Sequence, residues 1–179
     1  MKGYVLAVGL VVMMGLFFTG CEEKKEIVNI IVVSSPAFEN YGSIPTKYTC
    51  DGLDISPPLN FSNIPENTKS LALVMYDPDA PLGTFYHWII WNIPPNVTGF
   101  LEGEEITYPQ GINDFGVIGY RGPCPPSGTH HYHFKVYALD TTLNLENGAT
   151  MEELDKALSG HVLAIGELVG IYGEYDNIL

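Results

Sequence analysis

Leu71-Ala72-Leu73-Val74-Met75-Tyr76-Asp77-Pro78-Asp79-Ala80-Pro81, followed shortly by Phe85-Tyr86-His87-Trp88-Ile89-Ile90-Trp91-Asn92-Ile93-Pro94-Pro95, is the stretch of this 179-residue chain that decides its fold. Leu71 to Tyr76 is a short apolar run ended by Asp77 and two nearby prolines. Proline fixes φ and lacks an amide donor, so the run reads as a strand that stops abruptly in a rigid loop. Phe85 to Ile93 is a second strand, stopped by Pro94-Pro95. Alternation places Phe85, Ile89 and Trp91 on one of its faces and Trp88 and Ile90 on the other. A strand apolar on both faces is predicted to be buried on both sides, central rather than at an edge.

Working outward, Ile27 to Val33 is a β-branched run that predicts a first strand, ending at Ser34-Ser35-Pro36. Between Asn40 and Pro65 the chain is rich in turns, and its prolines argue against a helix or a central strand there. His131 to Leu139 is a further strand. Thr150-Met151-Glu152-Glu153 has the pattern of a capping box, which starts a helix expected to run to about Ser159 and close at Gly160. Val162 to Tyr172 then reads as a last long strand. One helix among many strands predicts a mainly β chain, an antiparallel Greek-key-like β-sandwich with one or two short helices, as one domain over residues 27–179.

The 21 acidic and 8 basic residues give a formal net charge of −13. That balance argues against nucleic acid, whose affinity rests on Lys and Arg contacts to phosphate. It argues equally against docking on anionic lipid through a basic patch. With 46% hydrophobic residues the chain can bury a core.

Residues 1–21 carry a short basic start, then an apolar run from Tyr4 to Phe18. At about 15 residues the run is short for a bilayer span of ~20 and suits a signal peptide. Phe18-Thr19-Gly20-Cys21 resembles a lipobox, in which the Cys21 thiol takes the lipid. Residues 22–26 form a short polar linker. The expectation is an exported lipoprotein, anchored on the extracytoplasmic side of a membrane; an uncleaved signal anchor is the alternative. Cys50 and Cys124 then remain as a pair in an oxidising compartment, where a disulfide between them is expected; two free thiols are the alternative.

Chemistry concentrates in two rigid loops and the strands after them. Asp77 and Asp79 are separated by Pro78 and followed by Pro81, with His87 on the next strand. Gly119 to Pro126 is rich in Gly and Pro and leads into Gly128-Thr129-His130-His131-Tyr132-His133. Alternation puts His130, Tyr132, Phe134 and Val136 on one face, and His131, His133 and Lys135 on the other. Two histidines two residues apart suit a metal site, so His131 and His133 with His87 and Asp77 motivate a metal-dependent hydrolase as a rival reading. No G-x-S-x-G elbow supports a serine hydrolase.

Asp77–Pro81 (D-P-D-A-P), His87-Trp88 and Asn92–Pro94 resemble the first signature of the phosphatidylethanolamine-binding protein family, which includes Raf kinase inhibitor protein. Gly128–Tyr132 (G-T-H-H-Y) is similar to the second. Tyr48–Gly52, Ser56–Leu59, Gly122–Pro126 and Gly160–Ala164 resemble the prokaryotic branch. The resemblance implies a β-sandwich with a small pocket for phosphate or a phosphorylated head group, and a non-enzymatic binding role without cofactor or metal. Carried over residue by residue, it implies Asp77, His87, His130 and Tyr132 as pocket residues. Asp79, Pro81 and the backbone of Gly122 and Pro123 would support them, with loop amides completing an anion cradle. In that reading Asp77 orients a histidine, which with Tyr132 donates to phosphate oxygens. The family also includes modulators of kinases and inhibitors of proteases, so an envelope protein or protease partner is a further expectation. Two positions depart from the pattern: His131 stands where the second signature has Arg, and Phe61 where the prokaryotic pattern has Trp. Arg121 is an additional cation beside the Gly-Pro loop.

Overall fold

A computed structural model of the chain describes residues 28–29 and 31–173. Nine strands and one α-helix follow in order: β1 (Val28–Asn29), β2 (Val32–Ser34), β3 (Gly42–Ser43), β4 (Leu59–Ser62), β5 (Ser70–Asp77), β6 (Phe85–Ile93), β7 (Gly99–Phe100), β8 (Thr129–Leu139), α1 (Met151–Leu158) and β9 (Val162–Gly173). The main sheet has the order β1-β9-β8-β5-β6, with β3 also paired to β9; β2, β4 and β7 form a second sheet. The long strands β5, β6, β8 and β9 pair antiparallel, while the short β1 and β3 lie parallel to β9.

The main sheet is apolar on both faces, as its strands predicted. Leu73, Met75, Trp88, Ile90, Phe134 and Val136 pack against Leu59, Phe61 and Phe100 of the small sheet. On the other face Ala72, Val74, Ile89 and Trp91 meet Leu154 and Leu158 of α1. Burying each of those leucines contributes about 1.5–3 kcal/mol. Both halves of the capping box are present, Thr150 Oγ1 accepting from the Glu153 amide and Glu153 from the Thr150 amide, and Gly160 takes a positive φ just past the helix end. Phe61 fills its position edge-on against Phe100.

Four sequence expectations need correction. β6 is an edge strand of its sheet, not a central one. Its outer edge is covered by the segment after Tyr108: Trp91 N–H donates to Pro109 O, Gly111 N–H to Ile89 O and Asp114 N–H to Tyr86 O. Hydrophobic patterning reports burial, and a covering loop buries an edge as a neighbouring strand does. Second, a bulge between Trp88 and Tyr86 shifts the register against β5 and reverses side-chain parity. Tyr86 therefore joins Ile89 and Trp91 on the helix side, while Phe85 lies beside His87 on the other. Third, the Ile27–Val33 run divides into β1 and β2, which belong to different sheets; Ile27 and Ile30 lie outside the described residues. Fourth, the turn-rich stretch holds a 3₁₀ turn at Thr46–Tyr48 and the middle strand of the small sheet, β4. Both begin just after prolines, at Pro45 and Pro58, where a missing amide donor costs nothing.

Candidate functional site

Where β5 ends and β6 begins, the structure encloses a cavity of about 490 Å³, with Asp77, Pro81, His87, Asp114, Phe115 and Cys124 in its wall. Asp77 is the last residue of β5 and is 3% exposed. Its Oδ2 lies 2.7 Å from His130 Nδ1, and its Oδ1 accepts the Asp79 amide at 2.8 Å. Both carboxylate oxygens are thus engaged within the chain, so Asp77 anchors its loop and fixes the His130 ring.

His87 sits in the β6 bulge, 2% exposed. Its Nδ1 lies 2.8 Å from the Arg121 carbonyl. A carbonyl only accepts, so Nδ1 carries the proton. Burial pushes the His87 pKa below its ordinary 6.5, offset only in part by that carbonyl and by Asp77. His87 is therefore neutral near pH 7 and becomes a cation only in acid. Tyr132 packs edge-on against it, ring centroids 5.3 Å apart. The Tyr132 hydroxyl is buried without a hydrogen-bond partner among the described residues. Burial first, then Asp77, raises its pKa, against a lowering contribution from the Cys124 backbone. The hydroxyl thus keeps its proton as a donor.

Asp77, His87, His130 and Tyr132 are brought together. Asp77 and His87 line the cavity itself; His130 bonds to Asp77 and the Tyr132 ring packs against His87 without lining the cavity. Pro81 lines the wall. Asp79 stands on the outer side, accepting from both the amide and Nδ1 of His131 at 2.9 and 2.7 Å. Burial alone would raise the Asp79 carboxyl, but the His131 hydrogen bonds outweigh it and hold it low. His131 thereby pairs Asp79 at the position where the family signature has Arg.

Neither Gly122 nor Pro123 offers the cavity a free amide. Gly122 N–H donates to Asp54 Oδ1 at 2.7 Å, Arg121 N–H to His87 O at 3.2 Å, and proline has no amide to offer. This loop shapes the wall instead, held by the Cys50–Cys124 disulfide, whose Cα atoms are 5.5 Å apart. Arg121 is bound to Asp54, Nη1 to Oδ2 at 2.6 Å, and does not line the cavity. His131 and His133 face away from His87, and no cluster of three or more His, Cys, Asp or Glu among the described residues could hold a metal ion.

The segment 113–115 contributes to the site without having been read from sequence. Buried Asn113 braces it, donating to the His87 and Gly119 carbonyls and accepting from the Phe115 and Val117 amides. Asp114 and Phe115 then stand in the wall opposite Pro81, and Leu82 is fully exposed at the mouth. The available signal was a large aromatic, Phe115, set among turn residues in a glycine-rich loop.

A mainly β, two-sheet domain with a cavity at the β5–β6 turn is the class that fold and site define. The sequence profile described as phosphatidylethanolamine-binding protein matches residues 34–173. A UPF0098 protein from Pyrococcus abyssi is 54% identical over 177 residues, 93% of this chain and 95% of that one. The crystal structure of a phosphatidylethanolamine-binding protein homologue, CT736, from Chlamydia trachomatis superposes with a TM-score of 0.79 at 45% identity, covering 82% of this chain and 99% of that chain. Escherichia coli YbcL, described as a member of the mammalian family, gives a TM-score of 0.76 at 33% identity, over 81% and 99%. This chain belongs to the phosphatidylethanolamine-binding protein family, in its prokaryotic branch.

Proposed function

We propose that this chain is a non-enzymatic binding protein whose cavity takes phosphate or a phosphorylated head group. The observation that carries the reading is the Asp77 and His87 side chains in the cavity wall, backed by His130 and by a Tyr132 hydroxyl buried without a partner next to His87. An unpaired buried donor costs about 1–3 kcal/mol, which an acceptor reaching it past His87 would recover. Phosphate oxygens are such acceptors. The carboxylate of Asp114 at the wall suits the protonated oxygen of a phosphate monoanion or the amine of a head group. The wall contains no Lys or Arg. Binding therefore rests on hydrogen bonds and is modest at neutral pH.

In the same proposal residues 1–21 are a signal peptide, Cys21 carries the lipid, and residues 22–26 tether the domain outside the membrane. The ligand state of the cavity would then modulate an envelope protein. The test of the pocket is calorimetry with inorganic phosphate and phosphoethanolamine on wild type, Tyr132→Phe and His87→Ala. Loss of roughly tenfold in affinity on removing only the Tyr132 hydroxyl is expected. Equal affinity in all three proteins would place the anion elsewhere and end this reading.

A further inference from the structure

On the opposite side of the main sheet from the anion cavity, β5, β6, β8 and α1 enclose a second cavity of about 230 Å³. Tyr76, Thr84, Tyr86, Tyr137, Lys135 and Asp155 supply its polar wall. The rings are held. Tyr76 donates to Glu167 Oε1 at 3.0 Å and stacks on His133, centroids 4.9 Å apart and 17° between planes. Tyr86 leans on Tyr76 at 6.3 Å, its amide bound by Asp114 Oδ2. The Lys135 ammonium lies 5.6 Å over the Tyr137 ring.

Five polar groups in this wall have no hydrogen-bond or ion-pair partner among the described residues: the hydroxyls of Thr84, Tyr86 and Tyr137, the Lys135 ammonium and the Asp155 carboxylate. Lys135 and Asp155 cancel in charge without pairing. Burial, then Asp155, raises the Tyr137 pKa to about 12, and the same two causes raise that of Tyr86, so both hydroxyls remain donors. An anion entering here meets Asp155, and a cation meets Lys135. A neutral ligand with several hydroxyls matches every group, accepting from the tyrosines and Lys135, donating to Asp155, and laying its C–H face on an aromatic ring. From this wall we propose a second binding site, specific for one neutral sugar ring and independent of the anion cavity.

Saturation-transfer NMR on the full chain tests it with methyl β-glucoside, methyl α-mannoside and methyl N-acetyl-β-glucosaminide, using free serine as a zwitterionic control. At least one glycoside should show saturable transfer in the millimolar range. Tyr137→Phe and Asp155→Asn should each weaken it roughly tenfold, the loss of one hydrogen bond to a charged or hydroxyl partner. Tyr137→Phe keeps the ring and the fold, so its loss reports the hydroxyl. His87 and His130 signals should stay still throughout. Absence of transfer from all three glycosides, affinity unchanged in both variants, or serine competing for the site would each overturn the proposal.

Discussion

Asp77 and His130 are each almost wholly buried and hold each other at 2.7 Å. Removing one partner of a buried hydrogen bond leaves the other unsatisfied, so Asp77→Ala should destabilise the fold by about 1–3 kcal/mol. Urea unfolding measures this, and a cost below 1 kcal/mol would contradict the pairing. His87 behaves differently, because its partner is a carbonyl and its burial disfavours charge. Its folded pKa lies below the unfolded 6.5, so the unfolded chain takes the proton first. The stability His87 contributes is complete above that value and is lost as pH falls through its folded pKa. The same protonation creates a cation in the cavity wall. Affinity for sulfate, whose charge is constant across this range, should therefore rise as pH drops below 6.5, and His87→Gln should flatten the rise. Calorimetry at a series of pH values reads both slopes.

At the scale of elements, α1 depends on its start. Thr150→Ala removes a side-chain acceptor for the Glu153 amide and should cost about 1 kcal/mol, read as a lowered melting temperature. Gly122 shows what the loop requires. A Cβ there would sit 2.1 Å from the Tyr48 carbonyl oxygen, so Gly122→Ala must displace the cavity wall. Weakened phosphate binding with retained far-UV circular dichroism is the expected result. Strands β5, β8, β9 and the helix were legible because each carries a strong period and clear stop residues. The edge position of β6 was not, since a loop from a distant part of the sequence covers it. Nor was the bulge at His87, which leaves no mark in a strand already apolar on both faces. The four central site residues came from motif resemblance together with strand parity. Asp114 and Phe115 escaped because loop residues have no period to betray which way they point.

At the scale of the molecule, two layers of packing clamp one sheet, and the Cys50–Cys124 bridge closes a loop across a sequence separation of 74 residues. Closing so long a loop restricts the unfolded chain, and its loss should cost about 2–4 kcal/mol. Melting of Cys50→Ser/Cys124→Ser against wild type checks this; identical melting would mean that the bridge contributes nothing. The chain carries a net charge of −13, and the cavity has no Lys or Arg in its wall. The body of the protein therefore repels an approaching anion, and on the proposed function affinity should increase with ionic strength that screens the surface. The central claim, that this cavity holds a phosphorylated group, is tested most directly by following the histidine ring signals in NMR while phosphoethanolamine is added. Saturable shifts at His87 and His130, with His131 and His133 unmoved, are the expected result; shifts confined to His131 and His133, or none at millimolar ligand, would contradict it.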